Sequence, residues 1–86
     1  MNEHTVLALG SIITAGLTMA LGAIGAAYGE SRIGAASMEA LARQPDEAGA
    51  ITRNEFVALA MVESTAIFCL VIALVLLFAN PFVAAR

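Results

Sequence analysis

Two carboxylates in apolar surroundings hold most of the chemistry available to this chain. Glu63 lies inside Phe56–Phe82, a run of 27 residues with no other charge, and Glu30 closes a second apolar run, Thr5–Gly29, of 25 residues. A carboxylate at membrane depth is costly and marks a functional site by default. Two such groups close together in a low dielectric cannot both ionise freely. They can share a proton or hold one cation between them, and either chemistry suits reversible ion loading. The competing reading for Glu30 is that it reaches to the membrane interface or pairs with Arg32.

The elements that position these groups follow from length and hydropathy. The chain has 86 residues, is 60% hydrophobic and has a mean hydropathy of +0.89. Soluble proteins are closer to about 45–50% apolar, and a chain this short cannot bury so much apolar surface in its own core. About 20 apolar residues cross the hydrocarbon core of a bilayer, so both runs are expected to span it. The expected fold class is therefore all-α, an antiparallel transmembrane helical hairpin, and the small-residue pattern of helix one described below adds the expectation that hairpins assemble into a closed oligomeric ring. We expect one domain over residues 1–86, with helix one at about 4–43, a polar loop at about 44–47 and helix two at about 48–80.

The boundaries have local causes. Arg43-Gln44-Pro45-Asp46-Glu47 combines charge with a proline, and the residue before a proline avoids the α region. Helix two restarts near Asp46 or Glu47, where acids favour a helix N-terminus, and Asn80-Pro81 stops it. The polar stretch Glu30–Glu55 holds three of the four arginines, Arg32, Arg43 and Arg53, whereas His4 and Arg86 mark the other side. By the positive-inside rule the loop is cytoplasmic and both termini lie outside. The N-terminus lacks the basic start and short apolar region of a signal peptide, so its apolar run reads as a retained span.

Antiparallel geometry relates the two acids. A turn centred near Asp46 places residues whose numbers sum to about 92 at equal height, and Glu30 and Glu63 sum to 93. That makes them level to within about 1.5 Å. Height does not fix rotation, so it does not decide whether the side chains face each other. Arg32 lies about 200° around the helix from Glu30. It either reaches the cytoplasmic interface or pairs with an acid of a neighbouring copy.

Helix one also has a packing pattern. Ala23, Gly25, Ala27, Gly29 and Ser31 are small at every second position. A step of about 200° smooths two opposite faces, and small residues let membrane helices approach closely. One helix–helix contact needs only one smooth face; two suit a helix with neighbours on both sides, as in a ring. On helix two, Ala58, Ala60, Ala66 and Ala73 are interspersed with bulky residues suited to a lipid-facing layer.

Other residues read as ordinary. No basic patch exists, which excludes a nucleic-acid partner on electrostatic grounds. Cys69 alone cannot form an intrachain disulfide and reads as a packed thiol. Met19, Met38 and Met61 read as packing residues, and His4 as a solvated terminal residue rather than a metal ligand.

Taken in order along the chain, these features resemble the c subunit, or proteolipid, of rotary F-type ATP synthases, including the N-type branch. The resemblance covers essentially the whole chain. Ala23–Gly29 is similar to the family's glycine-repeat helix, with alanines replacing some glycines. Ala42-Arg43-Gln44-Pro45 is similar to its polar-loop signature, Glu63 falls at its ion-carrying carboxylate, and Leu76–Phe82 resembles the tail of bacterial members. Each motif is weak alone, whereas the ordered set is specific.

The resemblance implies a ring of hairpins with first helices inside and second helices outside. It implies a stator a subunit whose arginine displaces the ion, and central-stalk subunits docked on Arg43, Gln44 and Pro45. The expected location is a prokaryotic inner or plasma membrane, with lipid as a further partner. The chain itself would be non-catalytic, with no cofactor beyond the transported Na+ or H+. Carried over by position, Na+ would be held by Glu30, Glu63, the Ser64 hydroxyl and the Met61 carbonyl, with Thr65 holding a water. These are oxygen ligands, which a hard cation prefers.

Sodium-type members often have tyrosine where this chain has Phe68, and Phe68 cannot donate the hydrogen bond that steadies a closed carboxylate. A protonated Glu30 could donate in its place. The Na+ reading is preferred, with a strictly proton-driven ring as the alternative. A pore-forming hairpin would leave Glu63, the matched Glu30 and the loop signature unexplained. A membrane enzyme using the two acids would lack a nucleophile, a metal cluster and a substrate pocket.

Overall fold

The computed structural model describes residues 2–83; Arg86, placed above on the outer side, falls outside them. The chain is two helices, α1 (Glu3–Arg43) and α2 (Ala48–Phe78), joined through a 3-10 turn at Pro45–Glu47. Their Cα atoms fill 64 × 17 × 9 Å. That length matches 41 residues of α1 at about 1.5 Å each. Both helices are long and apolar enough to cross a membrane. α2 is rich in Val and Ile, which are middling helix formers in water. In lipid the backbone must satisfy its own hydrogen bonds, and this overrides side-chain preference.

Each boundary has a visible cause. Asn2 caps α1, its Oδ1 accepting from the Thr5 N–H at 2.8 Å. Arg43 ends α1, where a cation complements the helix dipole. Pro45 opens the 3-10 turn, and the Glu47 N–H donates to the Gln44 carbonyl at 3.0 Å. α2 stops at Phe78, two residues short of the expected 80. Asn80 precedes Pro81 and is thereby kept out of the α region. Its side chain forms a local turn instead, Oδ1 accepting from the Phe82 N–H at 2.9 Å.

Three contacts fix the register along the hairpin. A Cβ added to Gly22 would lie 2.7 Å from Cys69 Sγ, and one added to Gly29 would lie 3.4 Å from Val62 Cγ1. Near the open end, Asn80 Nδ2 donates to Ser11 Oγ at 2.5 Å and to the Leu76 carbonyl at 3.3 Å. Each cross-helix pair sums to 91, one below the expected value. By these pairs the hairpin's effective centre falls between Pro45 and Asp46, half a residue before the expected Asp46.

The seam residues of α1 run from His4 through Ala8, Ser11, Ala15, Gly22, Ala26, Gly29 and Ile33 to Ala40, all at least half buried. His4 therefore departs from its expected solvated state. It is half buried on the seam, and its Nδ1 is shielded from solvent with no hydrogen-bond partner among the described residues.

One hairpin hides very little. Among the described residues only Ala15, Ala26, Ala73 and Asn80 are buried, while Leu21, Ile24 and Phe68 expose 68%, 67% and 71% of their surface. Such a surface needs lipid or further helices against it.

Candidate ion site

The register sharpens the relation between the acids. With level residues summing to 91, Glu63 is level with Tyr28. Glu30 lies two residues nearer the loop, offset by about 3 Å rather than 1.5 Å.

Rotation now follows from the same contacts. Gly29 and Val62 face each other across the seam, and Glu30 and Glu63 are the next residues of their helices. One step turns a helix by about 100°. In an antiparallel pair, a step forward along either helix turns toward the same flank. Both carboxylates therefore lie on one flank of the hairpin. Glu63 is exposed there and Glu30 half buried. Neither makes a hydrogen bond or ion pair with another described residue.

The other expected ligands lie elsewhere on α2. Met61, one step before Val62, turns to the opposite flank, and Thr65, three steps after it, turns to that flank as well. Ser64 lies opposite the seam, its Oγ donating to the Ala60 carbonyl at 2.9 Å. That bond occupies the hydroxyl hydrogen and leaves oxygen lone pairs free to accept. A single hairpin thus does not gather the five residues into one site. Among the described residues, no cluster of three His, Cys, Asp or Glu groups forms a metal site.

The small residues of α1 divide in the same way. Ala23 and Ala27 fall on the flank of the carboxylates, Gly25 on the opposite side, and Gly29 on the seam itself. Ala23, Gly25 and Ala27 are exposed in the single chain. The two flanks are therefore smooth at the same depth and chemically different.

Sequence reasoning missed two contacts. Arg32 binds Tyr28 on its own helix: Nη1 donates to the phenol oxygen at 3.0 Å, and the guanidinium carbon lies 5.7 Å from the ring centroid. The Tyr-x-x-x-Arg spacing was its signal, since residues four apart are helix-surface neighbours. The Asn80–Ser11 bond was signalled by a polar residue before proline at the end of an apolar run.

At the loop, Arg43 pairs with Glu39 at 2.6 Å, both side chains well exposed. Gln44 and Pro45 are exposed beside it. Ala36, Glu39, Ala40, Arg43, Gln44 and Ile51 line a shallow groove there. The loop signature thus forms one accessible polar surface at the closed end of the hairpin.

Comparison with known proteins identifies the family. Residues 13–76 match the family profile of the ATP synthase C subunit. The chain is 57% identical over 82 residues to ATP synthase c subunit 2 of Cereibacter sphaeroides, a match spanning 95% of this chain and 98% of that protein. It is 48% identical over 73 residues to the ATP synthase c subunit of Petrotoga mobilis, spanning 85% and 76%. The chloroplastic ATP synthase c subunit of Oedogonium cardiacum is 44% identical over 82 residues, spanning 95% and 99%. This membrane hairpin, with its glutamate pair and exposed polar loop, belongs to the ATP synthase C subunit family.

Proposed function

We propose that this chain is the ion-carrying c subunit of a rotary ATP synthase or ATPase, loading one Na+ or H+ at Glu63 with help from Glu30. It has no catalytic chemistry of its own. Copies assemble in a ring through the smooth flanks of α1, with α2 outside. The loop is cytoplasmic and docks the central stalk through Arg43, Gln44 and Pro45. A stator arginine releases the ion, so that ion flow turns the ring.

The observation that carries this reading is the split of oxygen groups between flanks. In a ring the carboxylate flank of one hairpin meets the opposite flank of the next. Glu30 and Glu63 then face Met61, Thr65 and, at the outer edge, Ser64 of the neighbour. A hard cation is satisfied by such an all-oxygen shell, and the interface supplies it where a lone hairpin does not.

Na+ is the preferred cargo. The Ser64 oxygen, with its hydrogen already engaged by Ala60, supports this preference. A proton-driven ring is the second reading, favoured by Phe68, which offers no hydroxyl to a closed carboxylate. Carbodiimide modification of Glu63 in the intact complex separates the two. Na+ is expected to protect Glu63 at neutral and alkaline pH. Protection weakens as pH falls, because protonation removes the charge that binds Na+. Absence of protection at alkaline pH would leave H+ as the cargo.

A further inference from the structure

We propose that Arg53 anchors the headgroup of an anionic phospholipid on the outer face of α2, one lipid per copy, with an acyl chain lying past Phe56 over Ala60. The proposal rests on the ring reading above, with α2 outside, and adds to it a lipid site of defined charge.

Arg53 differs from the other described arginines. Arg43 pairs with Glu39. Arg32, on the flank opposite Glu30, is held by Tyr28. Arg53 is exposed and forms no hydrogen bond or ion pair with another described residue. Its own helix offers it none. The surface neighbours three and four residues away are Gly49, Ala50, Phe56 and Val57, all uncharged.

Rotation aims this cation away from the rest of the hairpin. Arg53 is nine residues before Val62, or two and a half turns, so it lies about 180° from the seam. With α2 outside and neighbouring copies at the flanks, that direction is lipid. A stator covers only an arc of a ring, so Arg53 on the remaining copies meets the bilayer. This favours a lipid over an acidic protein as its partner.

Depth matches a headgroup. The apolar run begins at Phe56, three residues after Arg53. Helical side chains lean toward the helix N-terminus, which for α2 is the loop end. The guanidinium therefore leans out of the hydrocarbon toward the phosphates, as arginines near the ends of spans do. Its planar fork suits a phosphate through paired hydrogen bonds. The arginine bias makes this the cytoplasmic side, and the cytoplasmic leaflet carries anionic lipid.

The surface beyond Arg53 fits a chain. Ala60 and Ser64 follow it by seven and eleven residues, each within about 20° of its direction. They make a low floor, and the exposed Phe56 and Val57 stand on either side of that line. Arg53 to Ser64 is about 16 Å along the helix, close to half of a hydrocarbon core about 30 Å thick. One acyl chain thus runs from the headgroup to the depth of Glu63.

The chain has no tryptophan, so F56W gives each copy one fluorescent reporter beside the site. Purified F56W rings are placed in bilayers of mixed phosphatidylcholine and phosphatidylglycerol, with bromine on the acyl chains of one lipid or the other. Bromine quenches an adjacent indole. Phosphatidylglycerol should be preferred about fivefold, the bias that one arginine near an anionic surface supplies. F56W/R53Q should bring the two lipids to parity. F56W/R53K should keep a preference that weakens with added salt. Equal quenching by the two lipids in F56W, or an unchanged preference in F56W/R53Q, would overturn the proposal. Loss of the preference on adding inorganic phosphate at constant ionic strength would assign Arg53 to free phosphate and overturn it as well. Absence of quenching by either lipid in an intact ring would instead overturn the placement of α2 outside, on which the proposal stands.

Discussion

The two flanks of the hairpin lie at the same depth, yet one holds both carboxylates and the other Met61, Thr65 and Arg32. Both are lined on α1 by small residues, so they are alike in shape and unlike in charge. This difference makes copies complementary. A flank that repelled its own kind would not self-pair face to face, whereas head-to-tail contact can propagate around a closing rotation. The hairpin is thus half of two sites rather than the whole of one.

The largest test removes the charge that defines the acidic flank. E63Q should reduce ion-driven ATP synthesis to background while leaving the ring assembled, read by native electrophoresis. Retained synthesis would assign the ion to Glu30 instead. The next test asks whether the flanks meet at all. A27L fills the carboxylate flank and G25L the opposite one, and each should shift the ring to monomers or small oligomers. If only one did so, the flanks would not be the two sides of a single repeated contact.

The smallest expected effect comes from the hydroxyl at the outer edge. S64A removes one candidate oxygen ligand and should raise the Na+ concentration needed to protect Glu63 by about tenfold, or about 1.4 kcal/mol. Ring assembly should be unchanged. An unaltered Na+ requirement would remove Ser64 from the ligand set and sharpen the division to carboxylates against Thr65 and Met61.

Much of the fold was legible in advance. Two apolar runs, a proline-containing polar stretch and Asn80-Pro81 sufficed for a two-span hairpin. Their signals are local, because lipid forces each span to satisfy its own backbone. The register was nearly legible and missed by one, since it depends on the centre of a turn only four residues long, Gln44–Glu47. The Asn80–Ser11 bond joins residues 69 positions apart. Nothing local in Ser11 announces that partner, and the same is true of Cys69 against Gly22.

The site divides along the same line. Sequence alone determined that Glu63 is an isolated carboxylate in an apolar run, that Glu30 lies at similar height, and that Glu63-Ser64-Thr65 supplies oxygen groups in a row. Residue type, run length and the helix rise are enough for those statements. Tertiary structure alone decided the rotation. The Gly29–Val62 contact turned both carboxylates to one flank and sent Met61 and Thr65 to the other, and Tyr28 held Arg32 within the apolar segment. Rotation is set by which faces pack across the seam, and packing of α1 on α2 is a property of two segments together that neither segment carries by itself.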